Sequence, residues 1–363
     1  MINAEALIEE FYNERKNIKT DTYSMSIGEV INLYKEGDLI LNPAFQRLFR
    51  WDDEQKTSFI ESILIGIPIP EIFVAQKEDG TWSIVDGVQR MSTILQLTGD
   101  LIGKEPLKLT TSKYLPSLED FYWQELPKEL QRIFRRSKIG ISIILTENSI
   151  EAQYELFQRL NTGGLHLEDQ EIRNCLIIML SSEFYEKINE LKNFKGFKKC
   201  LQVKKETFDK EYHMELILRY LIAKYGNVNY SQYNVSNVHL RTFIDRETIR
   251  ILEDEDFDLD KEIEIFKKTF TFLSETLGKD IFRKYNADKK KFNGAFLISC
   301  FEAIASGVAE NLDKLKSLDP GDFIDLIEQL YSEPIFIQYT RRGVKALSRF
   351  KGLTEFSRDY FSK

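Results

Sequence analysis

Residues 86–90, Asp-Gly-Val-Gln-Arg, put a carboxylate, a glycine, an amide and a guanidinium within one short stretch. The preceding run TWSIVDG (81–87) has the composition of a strand, and VQRMSTILQLTG (88–99) has the periodicity of a helix that closes at Gly99. The first N–H groups of such a helix have no intrahelical acceptor and lie at the positive end of its dipole, so they attract an anion. Gly87 has no Cβ and would let a phosphate approach the backbone. Arg90 offers a planar fork of donors to phosphate oxygens. Asp86 could hold a magnesium ion, which takes one or two carboxylates together with substrate phosphates. Val88, Met91 and Leu95 form an i, i+3, i+7 row that faces a core, which leaves Gln89 and Ser92 or Thr93 toward the open side of the turn. A plainer reading stands beside this one: Asp86 as an N-cap, Gly87 as a turn residue and Arg90 as a surface cation.

Two other stretches carry comparable groups. NPAFQRLFRW (42–51) places Gln46 and Arg47 just after a strand stopped by Pro43. Arg47 and Arg50 beside Phe45, Phe49 and Trp51 fit either a second phosphate clamp or cation–π packing. In FQRLNTGGLHLEDQE (157–171), Asn161 ends a helical pattern and Gly163-Gly164 breaks it. That is a helix terminator by composition, with a ligand role for Asn161 as the alternative.

The elements that must position these groups follow from periodicity. Residues 1–17 form an amphipathic helical extension with Leu7, Ile8 and Phe11 on one face. GDLILNPAFQR (37–47) starts as a short strand. Asp52 and Gln55 form a capping-box pattern for a helix that carries Phe59, Ile60, Ile63 and Leu64 and ends at Gly66. Pro68 and Pro70 forbid a helix and lead into a strand over IPIPEIFVAQ, which EDGTW turns back as a hairpin. KIGISIILTE (138–147) reads as a buried strand, and 148–161 and 167–180 read as helices. Beyond that, nearly every periodic segment is helical. The fold class is α+β: a mixed domain over 1–165, followed by an all-helical domain over 166–363.

Composition narrows the classes. The 363 residues are 42% hydrophobic and 30% charged, with net charge −8. No apolar run reaches the ~20 residues of a membrane span, and the first residues lack a signal-peptide core. Cys175, Cys200 and Cys300 are far apart and read as reduced thiols in a cytoplasmic protein. Basic clusters at 132–138, 192–205, 289–291 and 341–342 each read as a solvated face, though together they could form a stripe. The acidic run 253–264 lacks the Gly and Glu of a calcium loop. There is no G-x-x-x-x-G-K-[ST] loop and no H-E-x-x-H, and the three histidines, His166, His213 and His239, have no nuclease arrangement.

The order NPAFQRLFRW, ESILIGIPIPEIFV, IVDGVQRMSTI, FQRLNTGGLHLEDQEIRN spans about 130 residues and closely resembles the N-terminal domain of GmrSD-type modification-dependent restriction systems, the DGQQR family related to ParB and sulfiredoxin. The resemblance implies a ParB/sulfiredoxin-like α+β site that binds and hydrolyses nucleoside triphosphates and regulates a nuclease in defence against phage DNA. The family's Asp-Gly-Gln-Gln-Arg falls on Asp86, Gly87, Val88, Gln89 and Arg90, and its Gln-Arg after the first strand on Gln46 and Arg47. Asn161, six residues before Leu167, corresponds to an Asn near the metal and triphosphate in ParB-type clamps.

On this resemblance Asp86, Gln89 and Arg90 are the catalytic candidates. Gln46, Arg47, Gly87, Ser92, Thr93, Asn161 and Gly163 are the nucleotide contacts, and Asp86 and Asn161 hold Mg2+ or another divalent cation. The implied partners are a nucleotide, DNA and a separate nuclease or effector subunit, with no membrane and with an oligomer allowed. Val88 departs from the family's first Gln. If that position orients water, hydrolysis weakens while binding survives; if it faces the core, as the periodicity indicates, the change is a packing choice. Two other readings compete with the NTPase: a non-catalytic DNA- or partner-sensing module that keeps the pocket without turnover, and a DNA-nicking enzyme.

Overall fold

A computed structural model describes residues 8, 20–41, 51–145, 169–201, 211–226, 228–233, 235 and 238–362. The chain divides into two compact units, Met1–Leu167 and Glu168–Lys363. Both expected classes of structure are present: a mixed sheet with helices in the first unit, and a predominantly helical second unit. The helical extension, apart from Ile8, and the segment 148–161 lie outside the described residues.

The first unit is built on a five-stranded sheet of order β1-β5-β3-β4-β2. Its strands are β1 (Thr20–Ser26), β2 (Leu39–Ile40), β3 (Ile72–Gln76), β4 (Trp82–Asp86) and β5 (Lys138–Ile144). β3 and β4 form the expected antiparallel hairpin, and β5 runs parallel to β3. β1 lies antiparallel to β5 at one edge, and β2 lies parallel to β4 at the other. β5 lies between β1 and β3, with Ile139, Ile141 and Ile143 buried on one face and Ile144 buried on the other. Periodicity had not flagged β1, an edge strand of mixed composition with exposed Tyr23.

Among the described residues, α1 (Ile27–Glu36), α2 (Asp53–Ile65), α3 (Val88–Thr98) and α4 (Lys128–Arg136) pack around this sheet. α2 begins with the anticipated capping box, in which Asp52 accepts from the Gln55 amide at 2.8 Å and Gln55 accepts from the Asp52 amide at 3.1 Å. Ile27 and Val30 of α1, Ile60 and Ile63 of α2, Met91, Ile94 and Leu95 of α3 and Phe134 of α4 join Ile72, Val74, Ile84 and Ile141 of the sheet in one core. Each such fully buried side chain contributes about 1.5–3 kcal/mol. The core therefore fixes which end of α3 meets the sheet.

The second unit contains α5 (Asp169–Leu180), α6 (Ser182–Leu191), α7 (Lys195–Cys200), α8 (Tyr212–Tyr225), α9 (Leu240–Glu253), α10 (Leu259–Thr276), α11 (Ile298–Glu310), α12 (Leu312–Lys316), α13 (Pro320–Leu330), α14 (Pro334–Thr340) and α15 (Ala346–Phe361). Its centre is aromatic: Phe197, Tyr220, Phe266 and Phe270 meet with centroids 4.4–5.9 Å apart. The buried carboxylate of Glu302 accepts from Arg219 and Arg349. Arg173, 1% exposed, donates from Nε to Asp245 Oδ1 at 2.6 Å. One feature corrects the all-helical expectation for 166–363. Residues 284–293 form an antiparallel hairpin of β6 (Lys284–Asn286) and β7 (Lys291–Asn293). Its short alternation was masked by the lysine run at 289–291. Cys175, Cys200 and Cys300 are buried, and no helix among the described residues is long and apolar enough to cross a membrane.

Candidate functional site at the start of α3

Sheet topology sends β2 and β4 out at the same end of the sheet. β2 and β4 are parallel, with Leu39 opposite Trp82 and Ile40 opposite Ser83. Their C-terminal ends therefore leave the sheet on the same side. The stretch that carries Gln46 and Arg47 starts where β2 ends, and Asp86-Gly87 follows directly from β4. The far end of that stretch is anchored at the same place: the backbone N–H of Trp51 donates to Oε1 of Gln89 at 3.2 Å. Trp51 also packs edge-on against Phe59 of α2, with centroids 5.5 Å apart. Gln46 and Arg47 themselves lie outside the described residues.

Gly87 is the N-cap of α3, with φ 88 and ψ 15, and no side chain caps the helix. The first backbone N–H groups of α3 thus have neither intrahelical acceptors nor a side-chain cap. The glycine is demanded by the fold itself. A Cβ there would stand 2.9 Å from Ile72 Cγ1 and 3.3 Å from Arg90 Nη2, on a left-handed backbone. The expected reason for this glycine was close approach of a phosphate, but on its Cβ side the space is filled by β3. A register shift between Phe73 and Val74 accompanies the pairing of Phe73 with Asp86; such irregularities re-aim neighbouring side chains.

Arg90 is held in place rather than waving at the surface. Nη1 donates to the carbonyls of Pro70 (2.6 Å) and Glu71 (3.0 Å), and Nη2 donates to Asp86 Oδ2 at 3.0 Å. Its side chain is 13% exposed, against 29% for Asp86. Burial lowers the guanidinium from its ordinary value and Asp86 opposes that shift; an arginine stays charged in either case. Three of its five N–H donors are committed by this arrangement, which leaves Nε–H and one Nη2–H. Asp86 in turn gives Oδ2 to Arg90, with Oδ1 outside the pair. One carboxylate oxygen together with phosphate oxygens is a sufficient donor set for magnesium. Among the described residues no group of three or more His, Cys, Asp or Glu could hold a metal alone.

The remaining expectations divide. Met91 and Leu95 are fully buried and Val88 packs on the same core, so position 88 faces inward as the periodicity indicated. Ser92 and Thr93, expected on the open side of the turn, are instead both fully buried. Thr93 Oγ1 donates to the Gln89 carbonyl at 2.8 Å. The helix is wide enough in its apolar face to draw both hydroxyls beneath its first turns, so the open side is left to the backbone. Asn161 and Gly163 lie outside the described residues.

Several participants escaped sequence reasoning. The carbonyls of Pro70 and Glu71 are acceptors, and Trp51 is a donor through its backbone. Glu71 carries its side chain across Gly140, where a Cβ would meet Glu71 Cγ at 2.7 Å, and its carboxylate accepts from Ser142. The available signal was the IPIPE stretch: two prolines remove ladder donors and loosen pairing, which frees carbonyls for a buried cation.

No curated protein and no solved structure matches the chain. One family model matches, and its description suggests a protein of a restriction system. The description of the family model is GmrSD restriction endonuclease, N-terminal domain; it matches residues 27–178, from the start of α1 into α5, and this part of the chain belongs to that family.

Proposed function

We propose that the N-terminal unit binds a nucleoside triphosphate together with magnesium or a similar divalent cation, and hydrolyses it, as the regulatory part of a restriction system whose nuclease is a separate subunit. One observation carries this reading. The uncapped start of α3 lies at the end of the sheet where the parallel strands β2 and β4 both exit, Trp51 is tied to its first turn, and a largely buried, pre-oriented guanidinium stands beside it. In this scheme the first N–H groups of α3 take phosphate oxygens. Arg90 supplies positive charge through its two remaining donors, and Gln46 and Arg47 close over the phosphates. Asp86 Oδ1 and Asn161 hold the cation, and Gln89 orients water. The bound nucleotide supplies a phosphoryl group whose transfer to water needs placement and charge stabilisation more than covalent chemistry.

A second reading, binding without turnover by a sensing module, is favoured by a specific observation. Gln89 Oε1 is already engaged by Trp51 and Asp86 Oδ2 by Arg90, so both groups cast in the chemical step have structural work.

Thermal denaturation with ATP, GTP, CTP or UTP and Mg2+, paired with a phosphate-release assay, separates the two. Nucleotide at about 100 times its Kd adds about 2.7 kcal/mol of stability. A shift with phosphate release supports hydrolysis, and a shift without release supports the sensor. No shift with any of the four nucleotides removes both.

A further inference from the structure

We infer that the β6–β7 hairpin of the helical unit is a contact surface for the phosphate backbone of double-stranded nucleic acid. Its two strands pair in the register Lys284–Asn293, Tyr285–Phe292, Asn286–Lys291. Tyr285 and Phe292 face each other with centroids 5.0 Å apart, and both rings contact Tyr331, at 6.2 and 6.3 Å. That side is the anchor. Strand alternation then sends Lys284 and Lys291 to the opposite side, where both are exposed.

The connecting turn adds exposed Lys289 and Lys290. It is ordered by its own bonds: the Lys289 amide donates to Asn286 Oδ1 at 2.9 Å and the Lys290 amide to the Ala287 carbonyl at 3.3 Å. Lys290 sits at φ 45, where glycine or asparagine would be easier. The tip therefore keeps a lysine against its backbone preference.

Charge sets this ribbon apart from the chain's acidic average. Residues 284–293 hold four lysines and one aspartate in a chain of net charge −8. Among the described residues none of the four lysines is in an ion pair, whereas Lys187, Lys192 and Lys224 elsewhere in the unit each hold a carboxylate. Two further lysines stand at the turn that precedes the ribbon in sequence. Exposed Lys279 precedes it on the turn Gly278–Asp280, and Lys199 Cε lies 3.4 Å from the point where a Gly278 Cβ would stand.

A two-stranded ribbon is of a size that the major groove admits. Lysine ammonium groups act on phosphates as point charges rather than as readers of base edges. The ribbon's outward side has no exposed large apolar side chain to enter a bilayer, so a duplex is a better occupant than a lipid surface.

The test is fluorescence anisotropy of the full chain on a labelled duplex of about 30 base pairs, without nucleotide, across about 50–200 mM salt. Wild type should bind, with log affinity falling linearly in log salt. Lys289→Ala/Lys290→Ala/Lys291→Ala should weaken binding about tenfold or more and reduce the slope by about 2–3, with an unchanged Tm to show that the fold is intact. Three outcomes overturn the inference: no duplex binding at low salt, wild-type binding by the triple variant, or loss that follows Arg132→Ala/Arg136→Ala on α4 instead. Sedimentation with phosphatidylserine vesicles in the absence of duplex binding overturns it as well. Because no nucleotide is present, failure here leaves the reading of α3 untouched.

Discussion

Gln89, in the first turn of α3, accepts the backbone N–H of Trp51, 38 residues earlier in the chain, at 3.2 Å. This bond fixes the exit of the stretch that carries Gln46 and Arg47. Replacing Gln89 with Ala removes the acceptor, at an expected cost of about 1 kcal/mol in stability. If the contact serves the site, nucleotide affinity should fall by much more than that stability loss explains, while Gln89→Glu, which keeps an acceptor, should retain most of it. Calorimetric titration of both variants checks this. Equal affinity in wild type and Gln89→Ala would reduce the bond to a structural role.

Arg90 is the larger lever. Arg90→Ala strands the half-buried Asp86 and takes the donor from the exposed carbonyls of Pro70 and Glu71, so a loss of about 1–3 kcal/mol is expected in urea denaturation. Arg90→Lys keeps the charge but cannot satisfy three acceptors from one planar fork, and should recover only part of that loss. Nucleotide binding must then be read as the stabilisation each variant gains on adding ligand, not as its absolute Tm.

Gly87→Ala tests the turn. Alanine would have to take a left-handed backbone and crowd Ile72 Cγ1 at 2.9 Å. Gly80, in the β3–β4 turn, has φ 83 and nothing within 4 Å of an added Cβ. Gly80→Ala should therefore cost about 1 kcal/mol, the conformational part alone. Gly87→Ala should cost clearly more, and equal costs would refute the contact with β3.

His213 gives the fold a pH dependence. Burial first, then Lys198 and Lys192, lowers its imidazole from 6.5 to about 4. Between those values the unfolded chain takes up a proton that the folded chain refuses. Stability should thus rise with pH from about 4 to 6.5, by at most about 3 kcal/mol, and level off above. Urea midpoints of wild type and His213→Phe across that window check it, since the aromatic variant should show a flatter profile.

What could be read beforehand was local. The Asp52–Gln55 box, the glycine stops at Gly66 and Gly99 and the inward row Val88, Met91, Leu95 depend on residues within one or two turns of each other, and all stand where periodicity put them. The order of the sheet depends on pairings far apart in the chain, and edge strand β1, with little apolar alternation, left no signal. The partners of Arg90 were hidden for another reason. Two of its three acceptors are main-chain carbonyls 19 and 20 residues upstream, and a carbonyl has no identity in a sequence. The β6–β7 ribbon was lost under its own lysines. Gln46, Arg47, Asn161 and Gly163 lie outside the described residues, so their parts in the proposed site rest on the motif match alone.

The hairpin between β3 and β4 turns back at Lys77–Thr81, closed by the Lys77 amide donating to the Thr81 carbonyl at 2.8 Å. Because the two strands are antiparallel, this exposed bend stands at the far end of the sheet from Gly87, roughly 14–17 Å away over a five-residue strand. Glu78–Gly80 is therefore the natural graft point for a fluorophore or an affinity handle: it is rigidly coupled to the ligand end by β4, yet remote enough to leave that end's chemistry untouched.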